Sequence, residues 1–154
     1  MFNIVLYEPE IPPNTGNIIR LCANTGCALH LIEPLGFELD DTRLKRAGLD
    51  YDEFASVKTY ASFQEFLQRV QPAHVYALST HGSRSFFDVS FQQGDAFVFG
   101  PETRGLPKAL LKELGDQHVL RLPMQSDSRS LNLSNTAAIV VYEAWRQNQF
   151  TGGR

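Results

Sequence analysis

The chain has 154 residues, of which 43% are hydrophobic and 20% charged, and its formal net charge is −3 at pH 7. This size and composition predict one globular domain over residues 1–154, and the acidic balance excludes non-specific nucleic-acid binding through a broad basic surface. No apolar run reaches membrane-spanning length and residues 1–8 lack a secretory signal, so we expect a cytoplasmic protein without membrane contact. Residues 151–154 are expected to form a flexible tail.

The cysteines and histidines argue against a metal site or a disulfide. Cys22 and Cys27 are too far apart for a CxxC pair, and no cluster of Cys or His accompanies them. We therefore predict that both cysteines are buried as small hydrophobic residues.

The N-terminal part predicts two strands with a helix between them. Asn3–Tyr7 is a continuous apolar run that is typical of a buried parallel strand. A helix is expected to begin near Asn14, an acceptable N-cap, and to end at Gly26. Ala28–Ile32 predicts the second strand.

The alternation continues through the middle of the chain. Ser62 and Glu65 have the spacing of a capping box, which predicts a helix that extends through Val70. Strands are expected over His74–Leu78 and Asp95–Phe99.

The last third predicts one more strand and two helices. Pro107–Leu114 is read as a short helix and His118–Leu122 as a strand. A C-terminal helix is indicated by apolar residues at helical spacing, namely Leu133, Ala137, Val140, Val141 and Ala144. About six strands alternating with helices predict an α/β fold with a mostly parallel sheet and helices on both faces.

A glycine-bounded loop follows the Asp95–Phe99 strand. Gly100 and Gly105 have the separation of a Walker loop, but Leu106 and Pro107 replace the residues that grip phosphate and magnesium, so no triphosphate site is expected. Glycine lets a backbone approach a ligand closely, which favours a small-molecule site. An ordinary strand-to-helix turn is the alternative.

Two further polar loops follow other strands, at residues 14–20 and 122–134. Because parallel sheets bind ligands outside the carboxyl ends of their strands, we expect the three loops to converge. The chain contains neither the GxGxxG of dinucleotide sites nor the GxSxG of hydrolases. A different α/β enzyme that binds a mononucleotide or a flavin is an alternative.

Three motifs carry a family resemblance that extends over essentially the whole chain. They are Asn14-x-Gly16-Asn17-x-x-Arg20, then Phe99-Gly100-Pro101-Glu102-x-x-Gly105-Leu106, then Leu122-Pro123-Met124 with Ser130-Leu131-Asn132-Leu133-Ser134 and Ala137. In residue type, order and spacing they closely resemble the motifs of SPOUT-class RNA 2'-O-ribose methyltransferases. Without a separate RNA-binding extension, and with its segments 6–14 and 141–146, the chain looks like the minimal enzymes of that class, which act on the wobble nucleotide of tRNA.

The resemblance implies a single-domain SPOUT fold with a deep trefoil knot in its C-terminal part. It also implies a homodimer, in which the first and last helices pack across a two-fold axis and arginines of both subunits face the tRNA anticodon stem-loop. The implied reaction is 2'-O-methylation of a wobble cytidine or modified uridine (5-carboxymethylaminomethyluridine), with leucine isoacceptors as the expected tRNAs. Another tRNA or rRNA position, and a knotted RNA-binding module without catalysis, are the alternatives.

The implied cofactor is S-adenosylmethionine, which leaves as S-adenosylhomocysteine, and no metal is implied. Backbone groups and an apolar wall are expected to hold the adenine. The residues that the resemblance assigns to the cofactor are Leu78, Gly100, Gly105, Leu122, Met124, Ser130 and Leu131.

Arg20 and Asn132 are the catalytic residues that the resemblance implies. Arg20 is expected to act on the 2'-hydroxyl with the help of an RNA phosphate. Because a guanidinium stays protonated, it is expected to activate the developing alkoxide electrostatically rather than to act as a base. Asn132 is expected to form a hydrogen bond near the transferred methyl. Glu102 either orients its loop, meets the polar tail of the cofactor or caps a helix.

RNA contacts are expected at Asn17, Arg20, Arg43, Arg46, Arg129 and Tyr142. For the segment Arg43–Arg46 the alternative is a solvated helix face, and for Tyr142 it is a packed core residue.

Overall fold

The computed structural model describes residues 1–46 and 48–154, with the side chains at positions 41, 43, 44 and 51 outside that description. In the described part, seven strands form one sheet in which every pairing is parallel. The strands are β1 (Asn3–Tyr7), β2 (Ala28–Ile32), β3 (Lys58–Tyr60), β4 (Val75–Leu78), β5 (Arg84–Ser85), β6 (Ala96–Phe99) and β7 (Val119–Arg121). Their order across the sheet is β3-β2-β1-β6-β4-β7-β5.

Helices cover both faces of this sheet, which confirms the predicted α/β class. The helices are α1 (Pro12–Thr25), α2 (Asp41–Arg46), α3 (Tyr51–Ala55), α4 (Phe63–Val70), α5 (Lys108–Leu114) and α6 (Leu133–Gln147). Successive strand residues point to opposite faces, so Ile4 and Leu6 of β1 pack with α1 and α6, whereas Val5 packs with α4 and α5.

The pair of helices α1 and α6 forms the larger core. Ile18 and Ile19 of α1 lie with Ala137 and Val140 of α6 in one cluster, each at most 1% exposed. The small alanine side chain lets the two helices approach closely, and dense packing of this kind stabilises their relative position. Cys22 is buried in the same cluster, as is Cys27, which confirms the prediction for the cysteines.

Helix α1 begins two residues before the predicted N-cap. Pro12 and Pro13 occupy its first two positions, where a missing N–H costs nothing and the fixed φ already suits a helix. Asn14 therefore lies inside the first turn, and its prediction as N-cap is wrong. The predicted end is confirmed, because Gly26 takes a φ of 76° and its N–H donates to the Cys22 carbonyl at 2.9 Å.

Four short elements were not predicted from the sequence. Strands β3 and β5 have three and two residues and lie at the two edges of the sheet, and α2 and α3 fill the polar segment between β2 and β3. Three predicted strands begin one residue later than expected, after His74, Asp95 and His118. At Asp95, for instance, the buried side chain accepts hydrogen bonds from His74 and from the Gln92 amide instead of continuing an apolar run.

The connection between β4 and β5 lies close to β7. The Ser79 amide donates to the Leu120 carbonyl at 2.9 Å, and a Cβ added to Gly82 would lie 2.8 Å from the Leu120 carbonyl carbon. The knot predicted for this part of the chain stays a prediction, as does the flexible tail. In the tail, the Thr151 carbonyl accepts a hydrogen bond from the Trp145 indole at 3.0 Å. None of the described helices is long and apolar enough to cross a membrane.

Candidate functional site

A cavity of about 490 Å³ opens where β4, β6 and β7 end. Its walls come from residues 78–81, from the loop at 99–106 and from the segment that leads from β7 into α6. Parallel sheets bind ligands at this edge, and the volume is within the roughly 300–1,000 Å³ of small-molecule sites. The expected convergence of the last two loops is therefore present. The prediction of a loop at residues 14–20 is wrong, because these residues lie in α1; of them only Asn14 lines the cavity, together with Ile11 just before the helix.

All the residues assigned to the cofactor line this one cavity; they are Leu78, Gly100, Gly105, Leu122, Met124, Ser130 and Leu131. Leu78 and Leu122 are buried, whereas Met124 and Leu131 are 38% and 42% exposed at the opening. Apolar side chains thus form both an inner wall and a rim, which suits a flat aromatic ring system with a polar extension. Their contact with a cofactor stays a prediction.

Gly100 of the cavity wall has no room for a side chain. A Cβ at this position would lie 2.5 Å from the Leu106 amide nitrogen and 2.6 Å from the Gly105 carbonyl carbon. Both neighbours are backbone atoms, so a side chain here would push the loop open. Gly105 has a φ of 69° and nothing within 4 Å of an added Cβ, so it serves the turn itself.

Glu102 connects the glycine-bounded loop to the beginning of α1. Its carboxylate accepts hydrogen bonds from the Glu10 and Ile11 amides at 2.9 and 2.8 Å and from the Asn14 side-chain amide at 3.2 Å. Both carboxylate oxygens are engaged in this way. Of the three predicted roles, the contacts favour orientation of the loop, because the two amides bound by Glu102 lie before the first residue of α1 and do not belong to its first turn.

Glu10 makes the reverse connection. Its carboxylate accepts the Thr103 amide at 2.9 Å and the Thr103 hydroxyl at 2.8 Å, and these hydrogen bonds lower the pKa of Glu10. Arg104 lies 3.4 Å from both Glu8 and Glu10. Glu8 and Glu10 therefore bind the loop at residues 102–104, and Glu102 binds the segment at residues 8–14, so that the two segments are joined from both sides.

Asn14 also reaches the beginning of α6. The Asn132 side-chain amide donates to the Asn14 oxygen at 3.0 Å, and the Asn132 oxygen accepts the Ser134 amide at 2.9 Å as the N-cap of α6. A continuous path of hydrogen bonds thus runs from Glu102 through Asn14 and Asn132 into α6. The roles of Asn14 and Glu10 were not predicted from the sequence. Glu10 lies just before α1 and Asn14 lies in its first turn, and polar side chains at the beginning of a helix need a hydrogen-bond partner.

Arg20 lies outside the cavity lining. Its Nε donates to Glu53 of α3 at 2.8 Å, and its Nη2 donates to the Gly48 carbonyl. The side chain is 46% exposed. Arg20 follows Asn14 by six residues, which places it about 9 Å further along the axis of α1.

Of the residues predicted to contact RNA, none whose side chain is described lines the cavity. Asn17, Arg46 and Arg129 are exposed, and the side chain of Arg43 lies outside the described residues. Tyr142 is 47% exposed beside Trp145, so its alternative as a packed core residue is wrong. Within the described residues, no group of three or more His, Cys, Asp or Glu side chains is arranged to hold a metal ion.

Comparison with known proteins gives consistent results for sequence and structure. A tRNA (cytidine(34)-2'-O)-methyltransferase of Saccharophagus degradans is 62% identical over 154 residues, which is 100% of both chains. A solved structure described as structural insights into the 2-OH methylation of C/U34 on tRNA has a TM-score of 0.87 at 42% identity, and 97% of each chain is covered. The SpoU methyltransferase AviRb from Streptomyces viridochromogenes, in complex with the cofactor AdoMet, has a TM-score of 0.79 at 26% identity, covering 99% of this chain and 58% of that one.

The family that the three motifs predicted is confirmed by a match over most of the chain. The SpoU rRNA Methylase family matches residues 1–142, a range that includes all three motifs. The chain belongs to the SpoU methylase family.

Proposed function

We propose that this protein transfers a methyl group from S-adenosylmethionine to the ribose 2'-hydroxyl of the wobble nucleotide of tRNA. The observation that carries the proposal is the single cavity lined by every residue assigned to the cofactor. The high identity to tRNA (cytidine(34)-2'-O)-methyltransferases over the full chain supports the substrate. More specifically, the proposed target is a cytidine or a modified uridine of leucine tRNAs, and the proposed location is the cytoplasm.

The cavity suits the implied cofactor by its shape and lining. Leu78, Leu122 and Leu131 offer an apolar surface for an adenine. Because Gly100 has no side chain, the backbone of residues 100–106 folds closely on itself beside the cavity, where its polar groups are available to the cofactor. When bound, S-adenosylmethionine supplies an electrophilic methyl group. The hydrogen bonds of Glu102 and Asn132 hold the surrounding loops, so that the cavity walls keep their positions.

Arg20 is the residue proposed to act on the 2'-hydroxyl. A guanidinium keeps its proton, so Arg20 stabilises the negative charge that develops on the 2'-oxygen, and the 2'-hydroxyl proton passes to the adjoining RNA phosphate. Arg20 does not line the cavity of its own chain. We therefore include in the proposal a homodimer, in which Arg20 acts at the cavity of a second copy of the chain. Ile139 and Tyr142, 40% and 47% exposed on α6, provide an apolar face for such a homodimer.

The proposal is tested with labelled S-adenosylmethionine and two anticodon stem-loop RNAs. The first has a cytidine at the wobble position, and the second differs only in a 2'-deoxycytidine there. Label is expected in a 2'-O-methylated cytidine of the first RNA and to be absent from the second.

Other outcomes separate the alternatives. Equal label in both RNAs would keep the methyltransferase and discard the wobble position, and total tRNA and rRNA would then be digested to find the modified nucleotide. Cofactor binding without any label would favour an RNA-binding module. Sedimentation of the protein at several concentrations tests the homodimer.

A further inference from the structure

Arg20 and Glu53 form an ion pair between two elements that are distant in sequence. The Nε–Oε2 distance is 2.8 Å, across 33 residues of the chain. The Glu53 side chain is only 18% exposed, compared with 46% for Arg20. The carboxylate is therefore the more enclosed partner and the guanidinium is the one that faces outward.

The surroundings of Glu53 hold its backbone in place. Asp50 caps α3 by accepting the Glu53 amide at 2.9 Å, and Ser56 donates to the Glu53 carbonyl at 3.1 Å. Leu49, 5% exposed, anchors the beginning of this segment in the larger core. The backbone that carries Glu53 is thus tied both to its own helix and to the body of the protein.

Glu53 and Gly48 occupy one side of the guanidinium. An arginine has five N–H donors in a fixed plane, and the described contacts of Arg20 use Nε and one hydrogen of Nη2. Within the described part of the chain, no acceptor meets the two hydrogens of Nη1 or the second hydrogen of Nη2, so these three can bind a ligand. They point away from the acceptors because the guanidinium is planar and rigid.

We propose that Glu53 is a positioning residue, which together with the Gly48 carbonyl fixes the plane of the Arg20 guanidinium so that its outer edge meets the ribose 2'-oxygen and the adjoining RNA phosphate. This inference rests on the proposed function. Glu53 touches neither cofactor nor RNA in this assignment, and it acts through Arg20 alone. Holding the catalytic cation beforehand saves the cost of ordering a long side chain during the reaction.

Glu53 has opposite effects on catalysis and on RNA binding. By orienting Arg20 it raises the rate of the chemical step, whereas its negative charge weakens the attraction of Arg20 for RNA. A carboxylate beside Arg20 weakens the attraction of that arginine for a phosphate, so its removal does not weaken tRNA binding through charge. Its loss instead frees the guanidinium to rotate, which lowers the rate of the chemical step. A neutral glutamine keeps an oxygen that accepts the hydrogen bond from Nε.

The experiment compares the variants Glu53→Ala and Glu53→Gln with the unchanged protein. Single-turnover methylation of the stem-loop RNA, the KM for tRNA and the affinity for S-adenosylmethionine are measured for each. The control is Glu65→Ala on the opposite face of the sheet, which removes both an ion pair with Arg69 and a hydrogen bond from the Ala61 amide. The Glu65→Ala variant shows whether the loss of an exposed ion pair and a helix cap is enough to lower the methylation rate.

For Glu53→Ala we expect a rate roughly 10–100-fold lower, with the KM for tRNA unchanged or lower and cofactor affinity unchanged. Glu53→Gln is expected within about threefold of the unchanged protein, as is Glu65→Ala, because a preserved acceptor or a remote pair leaves the guanidinium plane in place.

Three results would overturn the inference while leaving the proposed function intact. They are an unchanged rate for Glu53→Ala, a raised KM as its only effect, and a Glu53→Gln variant as slow as Glu53→Ala, which would assign the effect to charge. If the unchanged protein itself does not methylate RNA, the proposed function fails and the inference fails with it.

Discussion

The two ends of α1 are held in different ways. At its beginning, Glu102 and Asn132 meet Asn14 in a set of hydrogen bonds that borders the cavity. Further along, Arg20 is half-exposed and has its contacts with Glu53 and Gly48, from a different part of the chain. One helix therefore carries both a closed network beside the cavity and a half-exposed cation on the surface.

This difference indicates that the two parts of the helix have different functions. Groups that are fully paired hold a cavity in shape, whereas a cation with unused donors is available to a ligand. We therefore expect substitutions at the first end to affect cofactor binding and stability, and substitutions near Arg20 to affect catalysis on RNA. Four changes test whether the two ends are separable.

Arg20→Ala is expected to have the largest effect. Removal of the cation should lower the methylation rate by about 10²–10³-fold or more, because charge stabilisation of the 2'-oxygen is lost. Affinity for S-adenosylmethionine, measured by calorimetry, should stay the same. Arg69→Ala, which removes another exposed and ion-paired arginine, is the control. Loss of cofactor binding in Arg20→Ala would mean that the two ends of α1 form one site.

Gly100→Ala is expected to act on the cofactor alone. The added Cβ would meet the backbone of Gly105 and Leu106 at 2.5–2.9 Å. We expect roughly 10–100-fold weaker binding of S-adenosylmethionine, the equivalent of about 1.4–2.8 kcal/mol for a forced shift of packed atoms.

Gly105→Ala is the matched comparison in the same loop. Its Cβ meets no atom within 4 Å, although its φ of 69° strains an alanine. Its effect on cofactor affinity should therefore be the smaller of the two. Equal affinities for Gly100→Ala and the unchanged protein would contradict the assignment of this loop.

Glu102→Ala is expected to lower the stability of the protein. The Glu10 and Ile11 amides and the Asn14 side chain would lose their acceptor, at a cost of about 1–3 kcal/mol in the free energy of unfolding. Urea denaturation measures this cost. Glu10→Ala, which removes exposed hydrogen bonds with Thr103, should cost less. If the two variants were equally stable, the path from Glu102 to α6 would not stabilise the cavity.

Arg46→Ala is expected to have the smallest effect. Removal of one phosphate contact should weaken tRNA binding a few-fold and reduce the slope of log affinity against log salt by about one. Cofactor affinity should not change. Lys112→Ala on α5 is the control on the opposite face, and an identical salt slope for both variants would favour the solvated helix face for the Arg43–Arg46 segment.

Much of the site could be predicted because strand polarity and local motifs determine it together. The strands that end at Leu78 and Phe99 were recognised from their apolar runs, and in a parallel sheet their ends must meet at one edge. The residues of the second and third motifs follow such ends directly. Their convergence on one cavity therefore needed no knowledge of distant contacts.

The remaining features depend on contacts that a local pattern does not contain. Asn14 has the residue type of an N-cap, but the two prolines before it start the helix earlier and leave its side chain for Glu102 and Asn132. Glu53 lies in an acid-rich stretch whose pattern indicates no particular partner. Its pairing with Arg20 arises from the packing of α3 against α1, which no spacing in the sequence shows.

The hydrogen bond between Asn14 and Asn132 has a consequence for protein synthesis, because it joins residues 118 positions apart. At about 5–20 residues per second, a ribosome needs roughly 6–24 s to add that length of chain. During this time the beginning of α1 exists without the partner that completes the cavity wall. A nascent chain therefore lacks this part of the cavity wall until Asn132 has emerged, so a chain terminated before Asn132 is expected not to bind S-adenosylmethionine.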